Sequence, residues 1–522
     1  MKFFNTSAVI LGRYERLIAF GLAGVLLLVS CVVRYTNLDP SVEVRNIDAT
    51  YHAALTGTAL SQRSIKDSLL LPTVTLSDDT QRFIPWGSTI PDRDGYYYYV
   101  SFPMLSFAIP YLTIKSTGTS HVLEKILVVN FLIELVSAVL LYLACVEIVN
   151  ILRGSKRMQL WIPTIIISTY LLAKEVFYSQ GIIYWAQSLN QIFLLAILLL
   201  TIRIVKPGYT VRTGTLFLYG SIVFLSILTE WTSYLAALAV LAIFLIKGFR
   251  KKNILYFKKE ALTVLFSVFI GTILFITTLL AKIPYDTIAT AIQQRFVNRS
   301  TSTNISIMDF IHSYVDSFGP WIFTTLILLF IAWYRRDTRR HLFDNFKKTW
   351  YIFFFGLVIM TENVMVIQHA MQYDFDRLKL SILLSTLSVV ALVSLASLKR
   401  FRIIATIFLI FSLSISIMQT NMEPRTISKL GKYDQSIELI QKLTKQYPNA
   451  TYLHNGNVRG WMTLAVNKNV IENVADYTTL KLRCRTSVCV WLISRYDYGL
   501  NYEIEKAIIY DTQTEQVTTV KI

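Results

Sequence analysis

The sequence predicts an all-α polytopic membrane protein with about eleven transmembrane helices, followed by a small α/β domain at its C-terminus. Of its 522 residues, 54% are hydrophobic and only 16% are charged, whereas soluble proteins carry about 25% charged residues. The charges are clumped, which leaves many apolar runs near the roughly 20 residues that a helix needs to cross a bilayer. The mean hydropathy of +0.48 fits this class.

The predicted spans follow the apolar runs, with boundaries good to a few residues. They cover 17–33, 126–152, 159–177, 187–205, 214–229, 232–247, 261–281, 319–334, 350–367, 379–397 and 402–419. The apolar stretch 102–114 is shorter and contains two prolines, so it favours an interfacial or re-entrant helix over a span.

Positive charge sets the predicted orientation, because cytoplasmic loops are enriched in Lys and Arg. Lys2, Arg13 and Arg16 precede the first span, which places the N-terminus in the cytoplasm. Each loop that then faces inward is basic, and the outward loops hold mixed or acidic residues. The net charge of +18 therefore indicates topology and contact with membrane lipids, and no basic soluble domain suggests a nucleic-acid partner.

Because the number of spans is odd and the N-terminus is cytoplasmic, the C-terminal tail is predicted to be exterior. The chain then consists of a transmembrane domain, 1–420, and an exterior domain, 421–522. The first exterior loop covers 35–123. In the tail, YDQSIELIQKLTKQY has helical periodicity, and VCVWLISRY and KAIIYDT are typical of strands. Cys484 and Cys489 could be a disulfide, two thiols or half of a metal site; an exterior location favours the disulfide.

Walker, HExxH and GxSxG motifs are absent, so nucleotide hydrolysis and zinc-protease chemistry have no support. Three polar clusters on the outward side are candidate sites instead. The first, VEVRNIDATYH, holds Arg45, Asp48 and His52. At helical spacing Asp48 and His52 share a face, and a carboxylate there could act as a general base. A helix-terminal or solvated acid is the alternative.

The second cluster is PDRDGYYYYVSFP, with Asp92, Asp94 and the tyrosines around Tyr97. Consecutive tyrosines are typical of a membrane-interface belt, and they could equally form a sugar-stacking surface beside an acidic pair.

The third cluster is QHAMQYDFDRLK, between predicted spans nine and ten. It carries His369, Tyr373, Asp374, Asp376, Arg377 and Lys379. Arg377 and Lys379 are outward cations that could bind a lipid phosphate, or could be snorkelling anchors.

Three further residues stand outside these clusters. Glu230 marks a tight outward turn, and Arg295 lies on a longer outward loop. Glu362 lies inside predicted span nine, where an acid is costly and is either functional or paired with another buried polar group.

The retained first span, the early acid in a long exterior loop, the stretch GYYYYVSFPMLSFAIPYL and the exterior tail together resemble the GT-C superfamily of glycosyltransferases. Within it, the serotype-converting O-antigen glucosyltransferases of bacteria are the most similar subgroup. The resemblance implies an inverting transferase in the bacterial inner membrane, with a polyprenyl-phosphate sugar donor, a periplasmic tail and a polysaccharide or glycolipid acceptor. A flippase is a further candidate partner.

The resemblance also implies roles. Asp48 matches the catalytic acid of the first loop, Asp92 or Asp94 a second acid, and Arg377 with Lys379 the carrier-phosphate site. Some members pair acids with a divalent metal, but no ligand spacing for one is present, and no other cofactor is indicated.

A polysaccharide polymerase or a lipid-linked-oligosaccharide flippase is the competing interpretation. A polymerase usually has its large loop in mid-chain, and a transporter shows charged spans or repeats. Neither pattern is visible in this sequence.

Overall fold

The structure is a computed structural model. It describes residues 15, 17–19, 21–32, 47–76, 89–118, 122–300, 306–396, 398, 403, 406–408, 410, 431–456, 460–484, 486–494 and 504–521. Within these residues six helices are long and apolar enough to cross a membrane, or seven if a bent pair is one span. The protein is therefore a multi-pass helical membrane protein, as the hydropathy predicts.

The membrane domain is a succession of helices with short connections. Its helices are α1 Leu17–Val32, α2 Ile47–Ser61, α3 Ile65–Ser68, α4 Ala108–Thr117, α5 Val122–Ile151, α6 Lys156–Leu172, α7 Lys174–Phe177, α8 Ala186–Ile204, α9 Thr213–Ile227, α10 Thr232–Arg250, α11 Lys258–Lys282, α12 Tyr285–Ser300, α13 Ile307–Tyr334, α14 Arg336–Met365, α15 Ile367–Gln372 and α16 Leu380–Leu395.

Six predicted spans coincide with the six candidate membrane helices: α5, α8, α10, α11, α13 and α16. The seventh, 159–177, corresponds to α6 and α7, which are bent by 64° where the chain breaks between them. Helices α1 and α9 are apolar but shorter, and predicted span 350–367 is the second half of α14, whose first turns are basic. Most of span 402–419 lies outside the described residues, so the count of eleven stays a prediction.

The first exterior loop is folded rather than extended. Helix α2 packs on α4 so closely that a Cβ on Gly57 would lie 2.9 Å from the Pro110 carbonyl carbon. Between these helices lie a two-stranded hairpin, β1 Thr89–Pro91 with β2 Tyr97–Tyr99, and a 3₁₀ turn, Met104–Phe107. The turn leads into α4, in agreement with a non-spanning helix at 102–114.

The C-terminal domain is a five-stranded mixed sheet with three helices. Its elements are α17 Gly431–Gln446, β3 Thr451–His454, α18 Gly460–Val466, β4 Val470–Ile471, α19 Tyr477–Arg483, β5 Val488–Ser494, β6 Ile504–Asp511 and β7 Val517–Lys521. The strand order is β4-β3-β5-β6-β7, with β3 parallel to β4 and β5 and the remaining pairs antiparallel. Cys484 and Cys489 form a disulfide at the start of β5. The helix and both strands expected in the tail are present.

This domain docks on the first exterior loop. Gly460, which begins α18, touches the α2 backbone at Tyr51 and His52. A second contact joins Leu76 to Asn469, whose side chain exchanges hydrogen bonds of 3.0 and 3.4 Å with the Leu76 backbone. The exterior loop and the tail therefore lie on the same side of the membrane domain.

Candidate functional site

A cluster of aromatic rings surrounds Trp185, the residue that precedes α8. We call it the aromatic cluster. Ring centroids around Trp185 lie 5.3 Å away for His52, 5.8 Å for Tyr99, 5.6 Å for Phe102, 5.4 Å for Phe107 and 5.7 Å for Phe375. The rings come from three stretches that are far apart in sequence: α2 and the rest of the exterior loop, the start of α8, and the third sequence cluster.

The third sequence cluster joins the first through these rings. Tyr373 stacks on Phe375 at 5.3 Å, and His369 lies 4.4 Å from Tyr373. Phe375 in turn touches Trp185, which touches His52. The structure thus brings His52, His369 and Tyr373 to one side of the protein, as the predicted topology requires.

A small cavity, here the polar cavity, lies beside the aromatic cluster and shares Phe375 with it. Its lining is mostly polar and comprises Gln187, Asn190, Gln191, Leu194, Glu230, Thr232, Phe375, Leu378 and Lys379. The three amides lie at positions i, i+3 and i+4 of α8, so they share one face of that helix. Small-molecule sites commonly combine aromatic side chains with a few convergent polar groups.

Glu230 lies in the connection between α9 and α10, and it is buried. Asn190 Nδ2 and the Thr232 backbone N–H donate to its Oε2 at 3.0 and 2.9 Å. Its Oε1 has no partner among the described residues. Burial, reinforced by the nearby Glu362 carboxylate, raises the pKa of Glu230 to about 8, against the lowering effect of Lys379. At neutral pH the carboxyl is therefore largely protonated.

Lys379 is buried and forms an ion pair with Glu362. Its ammonium also donates to Thr232 Oγ1 at 3.2 Å, and the Thr232 hydroxyl hydrogen-bonds to Glu362. The intramembrane acid of predicted span nine is thus paired with a buried cation, and that cation, Lys379, lines the polar cavity. Buried charges that are paired in this way avoid the cost of isolated ones.

Asp376 lies behind Gln187. His369 Nδ1 and Gln187 Nε2, the latter at 2.6 Å, donate to its carboxylate, and Asn363 donates to its backbone carbonyl at 3.0 Å. Gln187 Oε1 has no partner among the described residues. Asp376 therefore orients both His369 and Gln187, and Gln187 is one of the residues that line the polar cavity.

Arg377 is enclosed by protein groups and is not among the residues that line the polar cavity. Its side chain is 1% exposed and is paired with Asp374 and, at 3.6 Å, with Glu175. Its other donors reach Ser317 Oγ at 2.7 Å and the carbonyls of Ala370 and Met371 at 2.8 and 3.1 Å. These contacts leave no exposed charge, so Arg377 stabilises the 3₁₀ turn Asp374–Arg377 and is not a free cation.

Asp92 and Asp94 also lie outside both features. Asp92 Oδ1 accepts the backbone N–H groups of Asp94 and Tyr96 at 2.9 Å each, which closes the β1–β2 hairpin. Asp94 is exposed in the hairpin turn, and Tyr97 is partly buried in β2. The geometry gives Asp92 a structural role in the hairpin, and neither acid is among the residues that line the polar cavity.

For two of the remaining candidates the structure describes only the backbone, and the third lies outside the described residues. Asp48 lies in the first turn of α2, one turn before His52, and Arg295 lies in α12; their side chains are outside the described residues, as is the whole of Arg45. Helix α12 lies against β1 and α15.

Sequence reasoning missed the cavity-lining residues of α8, together with Trp185 and Thr232. The signal was present as WAQSLNQ, in which three amides at helical spacing begin an otherwise apolar span. Within the described residues, no group of three or more His, Cys, Asp or Glu side chains could hold a metal ion.

The arrangement of membrane helices, folded loop and C-terminal α/β domain has counterparts among solved structures. ArnT from Cupriavidus metallidurans bound to undecaprenyl phosphate aligns with a TM-score of 0.60 over 91% of this chain and 93% of that one, at 11% identity. AglB, an oligosaccharyltransferase from Archaeoglobus fulgidus in complex with an inhibitory peptide and a dolichol-phosphate, aligns with a TM-score of 0.54 over 92% and 70%, also at 11% identity.

No family model and no curated protein matches the sequence. The structural likeness confirms the fold implied by the resemblance to the GT-C superfamily. At this identity it does not extend to substrate or acceptor.

Proposed function

We propose that this chain is an inverting glycosyltransferase that moves a sugar from a polyprenyl-phosphate carrier to a surface polysaccharide or lipid-linked glycan, on the outer face of a bacterial cytoplasmic membrane. The observation that carries the proposal is the junction at Phe375 of the aromatic cluster and the polar cavity. That junction sets amide, carboxyl and ammonium groups, which can contact sugar hydroxyls and an adjoining phosphate, beside a buried aromatic cluster.

The solved neighbours support the donor class. ArnT was crystallised with undecaprenyl phosphate and AglB with a dolichol-phosphate. Both ligands are polyprenyl phosphates, so two proteins that share this fold hold the same kind of carrier.

In the proposed reaction an acceptor hydroxyl attacks the anomeric carbon and the polyprenyl phosphate leaves with the bonding electron pair. Asp48 takes the hydroxyl proton, because it begins the helix that presents His52 to the aromatic cluster. Lys379 stabilises the charge on the departing phosphate from the cavity wall. Glu230 Oε1 carries the carboxyl proton and can donate to a sugar hydroxyl, and Gln187 Oε1 can accept from one.

The test is transfer of labelled sugar from a synthetic polyprenyl-phosphate hexose by purified protein, with Asp48→Asn compared with Asp94→Asn. General-base catalysis contributes about 10²–10⁴ in rate. We expect Asp48→Asn to lose at least 100-fold and the exposed Asp94→Asn to stay within about 2-fold. Equal activity of Asp48→Asn and wild type would contradict the proposal.

The same assay separates transfer from transport. A flippase would move the labelled lipid between leaflets without forming a new glycosidic bond. Translocation without a glycosylated product would replace the transferase by that alternative.

A further inference from the structure

Three cations are stacked on aromatic rings at the end of α10 that lies farthest from the polar cavity. Lys247 Nζ lies 4.3 Å above the Tyr351 ring, the Arg250 guanidinium 4.6 Å from the Trp350 ring, and Lys251 Nζ 3.4 Å from the Tyr256 ring. Thr232, at the other end of this 19-residue helix, lines the cavity. At 1.5 Å per residue the two ends are about 27 Å apart, on opposite membrane faces.

These cations have no acidic partner. None of them forms an ion pair within the part of the chain that the structure describes, and the carboxylate of Glu147 nearby is already shared by Arg203 and Lys206 at 3.0 and 3.2 Å. Three like charges on adjacent turns of one helix repel each other. The helix C-terminus favours cations, but only by a modest amount that salt screens.

The rings fix the cations in place. The 3₁₀ turn Ile254–Phe257 folds back on α10, where Phe257 stacks on Phe244 at 5.3 Å. This brings Tyr256 under Lys251, while the ring of Tyr351, 2% exposed, holds Lys247 from α14. Pre-organised cations lose less freedom on binding an anion than mobile lysines do.

Exposed apolar side chains continue the same surface. Leu255 is 66% exposed and Tyr256 51%, and both lie in the turn that folds back on α10. A soluble anion would leave these side chains without contacts, whereas a lipid would cover them with its acyl chains. The surface therefore combines a cationic patch, which suits a phospholipid head group, with an apolar face beside it, which suits the acyl chains.

We propose that Lys247, Arg250 and Lys251 form a binding site for the phosphate head group of an anionic phospholipid, on the membrane face opposite the polar cavity. The lipid acyl chains lie against Leu255 and Tyr256. This site is independent of the proposed glycosyl transfer, so either proposal can fail alone.

The test uses the full chain in nanodiscs of phosphatidylcholine doped with phosphatidylglycerol, and counts co-purified lipid by native mass spectrometry. Lys247→Gln/Lys251→Gln is the test variant. Lys258→Gln/Lys259→Gln, which removes the same charge from exposed lysines of the same basic loop, is the matched control. We expect wild type and control to retain phosphatidylglycerol at least 5-fold over its bulk ratio, and the test variant to fall to about 1-fold.

Equal loss of retention in both variants would show an unspecific response to surface charge and would overturn the site. A second arm adds inorganic phosphate to protein in phosphatidylcholine alone and measures the melting temperature. Stabilisation by free phosphate equal to that by phosphatidylglycerol would overturn the lipid assignment, and stabilisation by the lipid alone would support it.

Discussion

Gly460 lies at the contact between α18 of the C-terminal domain and α2, and a substitution there tests whether this contact positions α2. A Cβ at this position would lie 3.1 Å from both the carbonyl carbon and the oxygen of Tyr51, and 3.2 Å from the His52 nitrogen. All three atoms belong to the backbone of α2, so no side chain can move aside. Gly460→Ala must therefore shift α2 as a unit away from α18 by a few tenths of an ångström.

The shift would move Asp48, the proposed general base, because Asp48 lies one turn before His52 on the same helix. A displacement of about 1 Å can cost about 100-fold in rate. For a displacement of a few tenths of an ångström, we expect kcat to fall about 3- to 10-fold with little change in the donor KM. Overpacking of this kind costs about 1–3 kcal/mol in stability.

The assay pairs kcat and KM with hydrogen exchange of the α2 amides. Gly214→Ala is the control, since a Cβ there has no atom within 4 Å. We expect faster exchange in α2 for Gly460→Ala only. A folded Gly460→Ala protein with wild-type kcat and unchanged α2 exchange would refute the reasoning.

Three further predictions concern the cavity and its neighbours. Glu230 binds its proton more tightly in the folded state, so its contribution to stability is largest below the unfolded pKa of about 4.5 and is lost as pH rises towards about 8. Between pH 6 and 8 this loss is about 2 kcal/mol, and Glu230→Gln should flatten the melting-temperature profile over that range; an unchanged profile would contradict the shift. Lys379→Met should destabilise by about 3–5 kcal/mol by leaving Glu362 unpaired, and adding Glu362→Met should restore most of the melting temperature; failure of this rescue would refute the pairing. Trp185→Leu should destabilise the protein by about 3 kcal/mol, because it removes a buried ring packed against five others; an unchanged melting temperature would contradict that packing.

The sequence was a good guide where local chemistry decides structure. The apolar runs predicted the candidate membrane helices, because a bilayer imposes a minimum apolar length on each helix. In the tail, helical periodicity and strand-forming runs predicted α17, β5 and β6. The expected disulfide between Cys484 and Cys489 is present as well.

The third sequence cluster shows what the sequence could not predict. Its charge density correctly drew attention to 369–379, but composition could not divide the residues by role. Arg377 is enclosed by carboxylates and carbonyls, while Lys379, two residues later, faces the cavity. A difference of two residues at the start of a helix points side chains in different directions, and only the packing of α8, α13 and α14 around them decides which one meets a ligand.

Hydropathy and charge along the chain were enough to predict a multi-pass membrane protein with polar clusters on one side, because both act through the solvent on each segment separately. The tertiary structure alone decided that α2, α8 and the 3₁₀ turn Asp374–Arg377 meet around Trp185, and that Gly460 fixes the approach of α18 to α2. These contacts join residues more than a hundred positions apart. Their geometry depends on how whole helices pack, which no local pattern of residues records.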